Sequence, residues 1–143
     1  MKIYLPLAAA FTLAACGNGG EAAGASGNQA AAAPSATETQ VEAGRKAFNE
    51  CGVCHSIRQG EPSRIGPNLF GVVGRKAGSV EGFAYSKAMQ DSGVVWNDET
   101  LNAYIENPQK FIPGNRMAYA GKADPNTRAA IIAFLETLKP EEN

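Results

Sequence analysis

The run Cys51-Gly52-Val53-Cys54-His55 limits what this chain can be more than any other stretch of it. Two thiols three residues apart are followed at once by an imidazole, and on a helical turn positions i, i+3 and i+4 share one face. All three groups can be presented to a single flat object. Thiols that add to the two vinyl groups of a porphyrin, with an imidazole left for its iron, need this spacing, and C-x-x-C-H is the attachment sequence of c-type haem. Gly52 and Val53 only fill the turn.

Two other readings of these residues fare worse. In a βαβ protein, C-x-x-C signals a redox dithiol, but the sequence downstream is loop and helix with no run of parallel strands. A structural zinc site needs four ligands. The chain has one histidine and three cysteines, the third being Cys16, far from the motif. One covalently bound haem c is the cofactor this supply suits.

The chain has 143 residues and a formal net charge of −1, which fits one small domain plus a non-globular part. No basic excess points to nucleic acid. Lys2 precedes an apolar run, Ile3 to Ala15, too short to span a bilayer at ~20 residues and of the kind found in export signals. The run ends in Leu13-Ala14-Ala15-Cys16, which resembles a bacterial lipobox. That resemblance implies that residues 1–15 are a lipoprotein signal peptide and that Cys16 becomes the lipidated first residue. The alternative is ordinary cleavage at a small-residue site, which would release a soluble periplasmic protein with a spare thiol. Both routes take the chain out of the cytoplasm, the side on which bacteria attach haem.

From Gly17 to about Gln40 the chain is mostly Gly, Ala, Ser, Asn and Pro with only Glu21 and Glu38 charged. Such a segment cannot bury enough surface to offset its entropy, so residues 16–40 read as a lipidated cysteine and a flexible tether. Its root-mean-square reach is roughly 25–30 Å.

Residues 41–143 form the globular part. A first helix is expected over Val41 to Val53, with Gly44, Ala47, Phe48 and Cys51 on one face. The last helix is marked by Asp124 as cap, Pro125 in its first turn and Pro140 as stop, and Ile131, Phe134, Leu135 and Leu138 make its apolar stripe. Ile131 and Phe134 should pack on Gly44 and Phe48, the two helices crossing closely at the glycine. A third helix spans Asp98 to Asn107, capped by Asn97 and ended by Pro108, with Leu101, Tyr104 and Ile105 inward. A short helix is expected near Ser86 to Asp91. Ser56 to Ala84 and Pro108 to Lys122 read as loop. So much loop around so few helices makes a poor core, unless a buried porphyrin supplies the apolar centre.

His55 is the only histidine, so a second imidazole on the iron is excluded. The remaining soft ligands are Met89 and Met117. Met117 sits in the loop Ile112-Pro113-Gly114-Asn115-Arg116-Met117-Ala118-Tyr119-Ala120-Gly121, stiffened by Pro113 and freed to turn by two glycines. A thioether held there would close the second face of a haem, raise its potential and leave no open site. The position and loop chemistry favour Met117 as the second axial ligand.

From about Glu42 to Leu138 the chain resembles the class I c-type cytochromes, within them the mitochondrial cytochrome c and bacterial cytochrome c-two type. The resemblance runs through Cys51 to His55, Gly66-Pro67-Asn68-Leu69, Gly74-Arg75-Lys76, Phe83-Ala84-Tyr85-Ser86, Trp96, Glu106-Asn107-Pro108 and the loop around Met117. It implies an all-α class I cytochrome c fold, three main helices plus loops wrapped around one covalently bound haem. Cys51 and Cys54 would carry the thioethers, with His55 and Met117 on the iron. The Pro67 carbonyl would accept the proton of the far imidazole nitrogen. Tyr85, Ser86, Trp96 and Asn115 match positions that hydrogen-bond the haem propionates, and Arg75 a cation near the inner one. Tyr104 falls where the family has an aromatic beside the methionine sulfur, and Tyr119 where one covers the haem edge.

Some positions depart from that pattern. Glu50 and Gln109 stand where mitochondrial members carry docking lysines, and Met89 where a buried polar residue is common. Arg64, Lys110, Arg116 and Lys122 would form a weaker cationic rim. The function implied is that of a membrane-tethered mono-haem electron carrier, not an enzyme. It would act as a monomer on the periplasmic side of a bacterial membrane, between a cytochrome bc complex and a haem-copper oxidase or photosynthetic reaction centre. A gas-binding or peroxide-reactive haem with the Met117 loop displaced is the competing class. A fixed relay subunit of a larger dehydrogenase is a third, which the tether suits poorly.

Overall fold

The computed structural model describes residues 36–140. The export signal, Cys16 and the tether through residue 35 lie outside the described residues. The described part is all-α: α1 (Glu38–Ala47), α2 (Asn49–Gly52), α3 (Lys87–Asp91), α4 (Asp98–Glu106), α5 (Pro108–Phe111) and α6 (Pro125–Glu136). An isolated antiparallel bridge joins Lys76 to Val95. Among the described residues no helix is long and apolar enough to cross a membrane.

The first helix differs from expectation at both ends. It begins at Glu38 rather than Val41, because the Thr37 hydroxyl caps it by accepting from the Gln40 amide at 3.2 Å. The tether expected through Gln40 therefore gives way to helix slightly earlier. The helix also does not run unbroken to Val53. The Cys51 amide bonds the Phe48 carbonyl three residues back at 2.8 Å, a tightened turn that separates α1 from α2. Beyond Gly52 the Cys54 and His55 amides both reach the Cys51 carbonyl at 3.0 Å. That shared acceptor keeps Cys51, Cys54 and His55 on one turn.

Asp124 caps α6 by accepting from the Thr127 amide at 2.9 Å, with Pro125 at the first helical position. The helix stops at Glu136, before Pro140 can act, and Leu138 lies beyond it. Its burial is wider than the expected stripe, since Ala130, Ile132 and Ala133 are buried with Ile131, Phe134 and Leu135. α1 crosses α6 at Gly44, where a Cβ would lie 1.9 Å from the Ala130 carbonyl oxygen and 2.9 Å from Phe134 Cβ. Only glycine admits that approach. Beside it the Phe48 and Phe134 rings meet at 5.3 Å.

α4 carries the expected cap as a reciprocal box between Asn97 and Thr100, and buries Leu101, Tyr104 and Ile105. Ser86 caps α3. The segment after Pro108, expected as loop, opens with the single turn α5. There the Asn107 side chain accepts from the Lys110 amide at 2.9 Å, and Pro108 suits the first helical position. These elements bury Phe48, Val72, Trp96, Leu101, Tyr104, Ile105, Ile131 and Leu135, all of which also line a central cavity.

Candidate functional site

The cavity holds about 320 Å³ and is bounded mainly by apolar side chains, within the range of cofactor clefts. Cys51, Cys54 and His55 from the turn ending α2 line it, as do Pro67, Arg75, Tyr85, Ser86, Met89, Trp96, Tyr104, Met117 and Tyr119.

His55 is held in one tautomer. Its Nδ1 stands 2.7 Å from the Pro67 carbonyl oxygen, which can only accept, so Nδ1 carries the proton and Nε2 keeps its lone pair. Burial lowers the imidazole pKa, outweighing the opposite effect of that hydrogen bond, and favours the neutral ring a metal needs. The Pro67 carbonyl is placed by a loop built around Asn68. The Asn68 amide donates to the Arg58 and Glu61 carbonyls at 2.8 Å each and accepts from the Phe70 amide at 2.8 Å. Gly66 packs its backbone against the imidazole.

The Cys51 thiol is pushed up to about 11, by burial first and then by Glu50. An activated redox dithiol needs the opposite shift. Among the described residues no three His, Cys, Asp or Glu side chains cluster to hold a free metal ion, which leaves zinc without a ligand set.

The Met117 loop is organised by a second buried asparagine. Asn115 Nδ2 donates to the Pro108 and Ile112 carbonyls at 2.7 and 2.8 Å, and its Oδ1 accepts from the Met117 amide at 2.8 Å and from the Tyr104 hydroxyl at 3.3 Å. Both amide protons are thus used inside the protein, and Asn115 is not among the cavity-lining residues. These bonds shape the loop around Met117. Gln109 adds donations to the Asn115 carbonyl at 3.2 Å and the Met117 carbonyl at 3.4 Å.

The Trp96 and Tyr104 rings meet at 5.0 Å in a tilted arrangement, and burial raises the Tyr104 pKa. The Ser86 hydroxyl accepts from the Met89 amide. Tyr85 meets Phe83 edge-on, and burial raises its pKa too. Met89 lines the same cavity as Met117, from α3. Arg75 donates to the Phe70 and Asn68 carbonyls at 2.9 Å, and burial lowers its pKa. Among the described residues no carboxylate pairs with it. A half-buried cation on an apolar cavity fits a ligand that brings its own anionic groups, as haem does with its propionates.

Three residues that sequence reasoning did not place in this role stand out. Arg128 of α6 is buried and donates to Asn102 Oδ1 at 2.7 Å and to the Lys122 and Ala123 carbonyls at 2.8 Å, pinning the end of the Met117 loop. Lys122, expected in a cationic rim, is instead paired with Glu50 at 2.8 Å. Tyr119 donates to Glu50 at 3.3 Å. Nothing in the spacing of Glu50, Tyr119 and Lys122 announces contacts across about seventy positions.

Two thiols and an oriented neutral imidazole lining one apolar cavity define a mono-haem c-type cytochrome, with one covalent haem c as its cofactor. Residues 41–139 match the family model described as Cytochrome c, and the chain belongs to that family. It is 59% identical over 81 residues to cytochrome c of Trypanosoma brucei brucei, covering 57% of this chain and 87% of that one. It is 51% identical over 89 residues to cytochrome c2 of Rhodopila globiformis, covering 62% and 83%. Among solved structures, cytochrome cH from Methylobacterium extorquens matches with a TM-score of 0.65 and 41% identity, over 68% of this chain and 97% of that one. The protein is accordingly an electron carrier, not an enzyme, and works with redox protein partners. When bound, haem c supplies an iron that takes up and gives back one electron.

Proposed function

We propose that this cytochrome carries single electrons along the outer face of a bacterial membrane, from a cytochrome bc complex to a haem-copper oxidase, or to a photosynthetic reaction centre. The convergence of Cys51, Cys54, His55 and Met117 on one apolar cavity carries the reading. In it, Cys51 and Cys54 would hold the cofactor, and His55 and Met117 would ligate its iron. With both positions taken, the haem would have no site open to a substrate and would supply electron transfer alone. Pro67 fixes the imidazole, while Arg75, Tyr85, Ser86 and Trp96 surround the anionic end of the cofactor.

A lipid on Cys16 would tether the domain through the segment ending near residue 37, and the likeness to bacterial cytochromes c2 and cH supports a periplasmic location. With Lys122 paired to Glu50, Arg64, Lys110 and Arg116 are left as a sparse cationic rim. Long-range steering is then weak, and the tether compensates by raising the local concentration of the carrier.

The test uses the full chain produced in a haem-attaching bacterium. Reduced protein mixed with membranes containing a haem-copper oxidase should be oxidised in a cyanide-sensitive manner; lack of such oxidation removes the oxidase from the scheme. Wild type should fractionate with membranes and Cys16→Ala with the soluble periplasm. A Cys16→Ala protein that stays with membranes overturns the lipid anchor.

A further inference from the structure

The cavity has two walls that come from distant parts of the chain. One is the turn ending α2, bearing Cys51, Cys54 and His55; another is the loop around Met117. Glu50 immediately precedes Cys51 and joins the two. Lys122 Nζ lies 2.8 Å from Glu50 Oε1 and 3.1 Å from Oε2, and the Tyr119 hydroxyl donates to Oε1 at 3.3 Å. Glu50 and Tyr119 also line the cavity. The cross-link therefore ties one wall to the other.

The geometry behind Lys122 shows that its placement is built. Gly121 adopts φ +101°, and a Cβ there would stand 2.0 Å from the Glu106 carbonyl oxygen. That close approach lets the Lys122 amide bond the Ile105 carbonyl at 2.9 Å, while Arg128 grips the Lys122 carbonyl from α6. With its backbone fixed on both sides, Lys122 loses less side-chain freedom when it pairs. The Lys122 and Glu50 side chains are 30% and 38% exposed, so the pair is screened less than a fully solvated one.

We infer that Glu50 is a positioning residue for the Met117 loop: through Lys122 and Tyr119 it latches that loop to the wall bearing His55 and resists its opening. This rests on the reading that Met117 caps the iron. Asn115, Gln109 and Arg128 shape the loop from behind, whereas the Glu50 latch is the contact that ties it to the wall bearing His55. Opening the latch should leave the fold intact and let an outside ligand compete with the thioether.

The experiment uses the ferric full-chain holoprotein with imidazole as the probe, alongside amide hydrogen exchange of residues 116–121. Glu50→Gln and Lys122→Met should each raise imidazole affinity about three- to tenfold, the gain expected from losing a partly screened ion pair. Exchange in the loop should quicken by a similar factor. The double variant should add little to either single one, because both remove the same contact. Ile132→Val serves as control, since it destabilises α6 without lining the cavity; it should lower the melting temperature and leave imidazole affinity unchanged. Unchanged affinity and exchange in both latch variants overturn the inference, as does a rise of equal size in Ile132→Val. Failure of the Met117 reading shows separately, as a wild type lacking the far-red sulfur-to-iron band; loop exchange then still decides whether the latch exists.

Discussion

A Cβ on Gly66 would stand 2.3 Å from His55 Cε1 and 2.6 Å from Nδ1, so the imidazole occupies the space a side chain at 66 would fill. The same ring nitrogen bonds the Pro67 carbonyl at 2.7 Å. Gly66→Ala must therefore push the ring off that carbonyl. We expect sharply reduced recovery of haem-loaded protein, and a loss of about 1–3 kcal/mol in whatever loads, read by denaturant titration. Wild-type yield and stability would show that the ring has room to shift.

Gly44→Ala sets packing against propensity. Alanine favours a helix interior by about 1 kcal/mol over glycine. Here its methyl would meet the Ala130 backbone at 1.9 Å, and backbone cannot step aside as a side-chain tip can. The helices would have to separate and lose the contact between Phe48 and Phe134. Packing should win, with a fall of roughly 8 °C or more in melting temperature. A rise would mean that the crossing adjusts freely.

Asn115→Ala removes an amide that donates to two carbonyls and accepts from Met117. Both carbonyls keep a backbone donor, from the Ile112 and Asn115 amides, while the Met117 amide loses its acceptor, so the cost should be about 1–3 kcal/mol. The far-red band should weaken as the loop loosens. A variant of normal stability and spectrum would reduce Asn115 to a bystander.

Glu136 near the end of α6 has its pKa raised, first by burial and then by Asp98. The folded protein therefore holds this proton more tightly than the unfolded chain. Its favourable contribution is complete below the ordinary carboxyl range and is lost as pH rises through the folded value. At pH 7 Glu136→Gln should raise the melting temperature by about 2–5 °C, a modest gain because solvent screens the pair. The gain should shrink as pH falls through the carboxyl range. A gain that does not vary with pH would point to packing instead.

Much of this architecture was legible because its signals are local. Asn97 and Thr100, Asp124 and Pro125, and Ser86 mark helix starts within three residues of the groups they satisfy, and the i, i+3, i+4 spacing of Cys51, Cys54 and His55 reports a single turn. The misplaced pieces involve competition between local signals. Thr37 out-competes the Gly- and Ala-rich composition before it, and Asn107 with Pro108 starts a turn at a proline that also stops the helix before it. The loop-shaping bonds of Asn115 illustrate a subtler limit, since they depend on where the fold places the Pro108 and Ile112 carbonyls. Contacts such as Glu50 with Lys122, or Gly66 with His55, depend on how distant segments fold together. Residue type alone could not disclose them.

The most direct test of the site is the visible spectrum of the holoprotein, oxidised and reduced, with and without carbon monoxide, for wild type, Met117→Ala and Met89→Ala. Both methionines line the cavity, so the pair of variants separates ligand from lining. Ferric wild type should show the weak far-red sulfur-to-iron band and its reduced form should ignore carbon monoxide. Met117→Ala should lose both properties and Met89→Ala keep them. A wild type that binds carbon monoxide readily, or a far-red band that survives Met117→Ala, would contradict the assignment of His55 and Met117 as the two axial ligands.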